Sequence, residues 1–89
     1  MKKYEIKIAE LFGEVAKKCY IISTNSKAVV FFDYSAQVKS YTVTIHPNGW
    51  KRDEYGDEIA FLKDINTLNL KKTIKKLDKL ALELGIKDV

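Results

Sequence analysis

Very little in this chain could carry chemistry. Its 89 residues include one cysteine, one histidine, one arginine and one proline. Cys19 has no second cysteine for an internal disulfide, which fits a reducing cytosol and predicts a cytoplasmic protein. His46 alone excludes a histidine-rich metal site, and any nucleophile–histidine pair would have to use it. No glycine motif that cradles phosphate occurs anywhere. No run approaches the roughly 18–20 apolar residues that a membrane span requires. Met1-Lys2-Lys3-Tyr4-Glu5 opens basic with no long apolar stretch behind it, so no secretory signal is expected. These absences predict a protein that is not an enzyme and carries neither metal nor cofactor. The lone Arg52 beside so many lysines reflects coding bias and implies no mechanism.

What is present suits one domain spanning residues 1–89. Apolar residues make up 46% and charged residues 31%, ordinary proportions for a globular chain with a single modest core. The net charge of +4 is mild, and its distribution says more. Lysines prevail up to residue 50, and the stretch 51–66 is locally acidic through Asp53, Glu54, Asp57, Glu58 and Asp64. From Thr67 lysines prevail again. A weak basic excess suits polyanion binding, and it equally describes a solvated lysine-rich surface.

The centre of the chain is a β-hairpin. Ala28 to Tyr34 and Tyr41 to His46 are β-branched and aromatic runs, flanking a polar break at Ser35-Ala36-Gln37. In the second run Tyr41, Val43 and Ile45 point one way, and Thr42, Thr44 and His46 the other. Before the hairpin, Ile8, Leu11, Phe12, Val15, Ala16 and Cys19 have helical spacing, predicting an amphipathic helix over 5–19. Glu10, Glu14, Lys17 and Lys18 lie on its other side, with Glu14 and Lys18 placed to pair. Tyr4, Ile6 and Ile8 also alternate, so a leading strand is the rival reading. Tyr20-Ile21-Ile22 either closes the helix or begins an extended segment.

After the hairpin, Pro47-Asn48-Gly49 marks a tight turn, and 50–58 reads as an exposed charged loop. Ile59 to Leu62 is a short third strand, though its length also fits a helical turn. Leu70, Ile74, Leu77, Ala81 and Leu84, widened by Thr73 and Leu80, form the seam of a final helix. Asn66, Thr67 and Asn69 are candidate N-caps and Gly85 a C-terminal cap. The expected fold is α+β: helix, three-stranded antiparallel sheet, helix, with both helices on one sheet face in a two-layer sandwich. The other face, bearing Thr42, Thr44 and His46, is then left for solvent or a partner.

Each candidate site has a bland alternative. His46 reads as a surface histidine and Cys19 as a small core residue. Asp53, Glu54, Asp57 and Glu58 lack the alternating oxygen ligands of a calcium loop and read as a solvated acidic stretch. Lys71, Lys72, Lys75, Lys76 and Lys79 share a face that could follow a phosphate backbone or simply be solvated. Trp50, near Arg52 and Tyr55, either packs back on the sheet edge or stands out as an interface anchor.

Two resemblances bear on function. The element order over residues 5–84, with Lys71-Lys72-x-x-Lys75-Lys76, is similar to the double-stranded-RNA-binding domain and implies a nucleic-acid-binding module. Ser35-Ala36-Gln37-Val38 stands where that family has Gly-Pro-His. Separately, Phe31-Phe32-Asp33-Tyr34-Ser35 through Asn48-Gly49-Trp50 resembles small phage and mobile-element αβββα proteins, some of which are anti-CRISPR or other anti-defence inhibitors. That likeness implies stoichiometric binding to a host protein or ribonucleoprotein complex, including by nucleic-acid mimicry. The partner-binding residues would be Trp50, Arg52, Tyr55, Thr42, Thr44 and His46.

Overall fold

The first helix outruns its predicted limits at both ends. In the computed structural model, which describes residues 1–52 and 55–87, α1 spans Lys3–Asn25. Val15, Cys19 and Ile22 are buried along it at spacings of four and three, so Tyr20-Ile21-Ile22 continues the helix. The alternation at Tyr4 and Ile6 has no strand behind it, and both side chains are exposed. At the C-terminal end the side chains of Thr24, Asn25 and Ser26 donate to the carbonyls of Tyr20, Ile21 and Ile22. They satisfy acceptors that the last turn leaves without a helical partner.

Three strands follow, β1 (Val29–Ser35), β2 (Ser40–His46) and β3 (Asp57–Asp64), paired antiparallel in the order β1-β2-β3. The hairpin turn is 36–39, so Ser35 still belongs to β1, and Lys39 closes the turn with φ +51°. Pairing of Val30 with Ile45 and Phe32 with Val43 puts these residues on the face where Tyr41, Val43 and Ile45 are buried. His46 to Gly49 forms the predicted tight turn, its Gly49 N–H donating to the His46 carbonyl at 3.1 Å. β3 is longer than its apolar run, because charged residues at both ends, starting with Asp57 and Glu58, also pair with β2.

The last helix, α2 (Thr67–Glu83), is capped by Asn66, whose side chain accepts from the Asn69 N–H at 2.8 Å. Gly85 at φ +77° ends it. Its N–H bonds to the Leu82 carbonyl and the Ile86 N–H to the Ala81 carbonyl, a Schellman closure. Leu70, Thr73, Leu77 and Ala81 are buried.

Both helices cover one sheet face, packing on each other with α1 against β1 and α2 against β3. The shortest extent of the molecule is 17 Å, enough for one helix layer and one sheet and no more. Two polar contacts tie the elements together, one between sheet and helix and one between the two helices. Tyr41 Oη lies 2.7 Å from Thr73 Oγ1 at the centre of the core. The single Thr73 hydroxyl proton is donated to the Asn69 carbonyl, so the tyrosine is the donor between them.

The second contact corrects an expectation. Lys18 is not on the solvent side of α1 but 5% exposed against α2, its Nζ 2.6 Å from Asp78 and 3.4 Å from Glu14. Helix-to-helix packing tilts this edge of α1 inward, and an acid on α2 meets the buried ammonium. Cys19 is in the core as expected, and burial pushes its thiol up to about 12.

Candidate partner-binding surface

The sheet face away from the helices has two ends of different character. On it lie Val29, Phe31 and Asp33 of β1, Thr42, Thr44 and His46 of β2, and Glu58 of β3, as the registers Phe31↔Thr44, Asp33↔Thr42 and Thr44↔Glu58 require. At the His46 end the face is covered. The Phe31 ring stands edge-on to the imidazole at 5.4 Å, and the chain at Gly56 comes down onto the strand. A Cβ at Gly56 would lie 2.5 Å from Thr44 Cγ2 and 2.9 Å from His46 Nε2, so only glycine permits this approach. His46 is therefore buried, at 8% exposure, and is not the surface residue its strand-end position predicts. Thr42 and Thr44 are half-buried.

The other end is open, and β3 shapes it. Its register slips between Tyr41 and Val43, where Tyr41 pairs with Lys63 and Val43 with Ala60. Phe61 and Leu62 together then oppose the single residue Thr42, the arrangement of a β-bulge. Ala60 is buried toward the helices, so the two bulged residues turn outward, and Leu62 lines a shallow cleft with Asp33 and Thr42. Phe61 is 55% and Leu62 62% exposed. Leu62 sits at φ +46°, the left-handed region that a side chain enters only at a cost. Hairpin alternation was legible in the sequence, but a bulge inserting one residue carries no glycine or other signal here, and these two residues were missed.

The electrostatics of this face are one-sided. Asp33 and Glu58 are exposed on it, and β1 and β2 contain no basic residue between Val29 and His46 other than Lys39 in the turn. Lys63 of β3 lies instead on the helix side, beside Asn69 and Lys72.

The remaining predicted residues fall in two places. Trp50 is 58% exposed and Tyr55 fully exposed, so Trp50 is not a core residue, and Arg52 is exposed between them. Asp53 and Glu54 of the acidic stretch lie outside the described residues, whereas Asp57 and Glu58 open β3. Lys71, Lys72, Lys75, Lys76 and Lys79 are all exposed on α2, in the opposite layer from the open face. The two candidate sets therefore do not form one surface. Among the described residues no cluster of three or more metal-ligating side chains occurs, and no helix is long and apolar enough to cross a membrane.

No protein-family model, curated protein or solved structure matches this chain.

Proposed function

We propose that this chain is a non-catalytic cytoplasmic protein that acts by stoichiometric binding, its partner seating on the open end of the sheet. The observation that carries this reading is the bulge at Phe61 and Leu62. Two large apolar side chains are held in solvent by a backbone conformation that disfavours one of them, on an otherwise well-satisfied fold. Local strain that packing does not reward is the signature of a site shaped for something outside the molecule. Phe31, 40% exposed, is a further apolar side chain on this face, and Trp50 and Tyr55 supply aromatic anchors on the loop before β3, at the His46 end.

The acids on this face define the partner. Asp33 and Glu58 around an apolar centre suit a protein surface with a basic rim, and they repel a phosphate backbone. Proteins that normally hold nucleic acid have such surfaces. A host defence complex such as a CRISPR effector is the partner of this kind to which the phage-protein likeness points, with this chain as its inhibitor. The test is a pull-down from the host lysate with and without nuclease. A partner retained after nuclease and lost on Phe61→Ser supports the reading. Loss of all partners on nuclease treatment refutes it.

A further inference from the structure

The positive charge missing from the open face is gathered behind β3. Lys63 of β3 and Lys72 and Lys76 of α2 line one cleft of ≈ 190 Å³, floored by Ile59 and Ala60. No carboxylate is among the residues lining it, and none of the three lysines forms an ion pair among the described residues. The molecule does neutralise a lysine where the fold requires it, since Lys18 is met by Asp78 and Glu14.

The cleft is also partly organised. Lys76 Nζ donates to the Ile59 carbonyl at 3.1 Å, which holds that ammonium at the cleft wall and leaves it two further N–H donors. The Thr73 hydroxyl proton is spent on the Asn69 carbonyl and one Asn69 amide N–H on the Asp64 carbonyl, so the ammonium groups are the main donors the cleft offers a ligand.

α2 is arranged against its own electrostatics. Lys71 and Lys75, Lys72 and Lys76, and Lys75 and Lys79 are like charges four residues apart, each pair mildly destabilising. The first turn holds no acid to balance the positive end of the helix dipole. An anion bound in the cleft, beside Lys72 and Lys76, relieves the repulsion of that pair.

We propose that the cleft between β3 and α2 binds a phosphate group, held by Lys63, Lys72 and Lys76. This site is separate from the open sheet face and does not depend on the partner-binding reading. Lys75 and Lys79 continue the basic row along α2, so the same chemistry accommodates a free phosphate or one unit of a phosphodiester chain.

The test is an amide NMR titration of the full chain with sodium phosphate, against sodium chloride at equal ionic strength. The expected result is saturable shifts at residue 63 and residues 69–76 with phosphate alone. Lys63→Gln/Lys72→Gln should weaken that binding by about tenfold or more, as loss of two charge-assisted contacts implies. Lys17→Gln/Lys27→Gln removes the same charge elsewhere and should change nothing. Melting curves confirm that each variant is folded. A second arm uses a labelled single-stranded 12-mer. Tighter binding than phosphate, with a log–log salt slope of about −0.7 per phosphate engaged, identifies a phosphodiester source. Binding no tighter than phosphate identifies a free phosphate group. Shifts that do not saturate, or that persist in the Lys63/Lys72 variant, would overturn the site.

Discussion

The contact between Lys18 and Asp78 gives a prediction that the structure makes asymmetric. Asp78→Asn removes a carboxylate 2.6 Å from an ammonium that is 5% exposed. Glu14 remains at 3.4 Å. Breaking a fully buried pair costs about 3–5 kcal/mol, but the Asp78 side chain is 49% exposed and already partly solvated. A loss of about 2 kcal/mol is expected, within the range for a hydrogen bond to a charged group. Lys18→Met keeps the apolar stem and deletes the charge, and both acids can then turn to water. That change should cost only about 0–1 kcal/mol. The double variant should resemble Lys18→Met alone, because the charge left stranded by Asp78→Asn is gone. Urea unfolding followed by circular dichroism measures all three. An Asp78→Asn variant no less stable than Lys18→Met would refute the reasoning. The pair also has a pH signature. Burial opposes the Lys18 charge, but Asp78 and Glu14 outweigh it and raise the lysine above its ordinary value. Its stabilisation is thus present at neutral pH and lost only as pH climbs through the lysine range, a loss that Lys18→Met should reduce.

Three further outcomes follow from the fold. Leu77 is fully buried, so Leu77→Asp strands a charge at the helix–sheet contact and should abolish cooperative unfolding; an unchanged thermal midpoint would contradict the two-layer packing. With its pKa raised to about 12 by burial, Cys19 should resist alkylation at pH 8 until the chain unfolds. Its contribution to stability declines as pH rises above the ordinary thiol value, and rapid native-state labelling would contradict its burial. Leu62→Gly relieves a left-handed leucine at the cost of glycine's extra freedom when unfolded, a net gain of about 0.5–1 kcal/mol and a rise of a few degrees in melting temperature. A lower melting temperature would show that Leu62 contributes to the fold.

The fold was legible because periodicity reports burial directly. Tyr41, Val43 and Ile45 alternate and are buried, and the Leu70–Leu77–Ala81 seam is where α2 meets the core. The boundaries of α1 and β3 were less legible, since Thr24 and Asn25 at the end of one and Asp57 and Glu58 at the start of the other are polar residues inside regular elements. Site geometry was legible only in part. Trp50 and Tyr55 stand out in the sequence and are exposed, but His46 is covered by Gly56 and Phe31, which are distant in the chain. The outward turn of Phe61 and Leu62 depends on a register slip against β2, a pairing property that no local pattern encodes.

The open sheet face is tested most directly by measuring, on one set of purified variants, both stability and affinity for the partner recovered from the nuclease-treated pull-down. Phe61→Ser and Trp50→Ala should each remain folded and lose about 2 kcal/mol of binding free energy, the scale of an interface anchor. Leu62→Gly should gain stability and lose affinity together, an opposition that a purely structural role cannot produce. Phe61→Ser and Leu62→Gly proteins that are folded and bind at full strength would contradict the account.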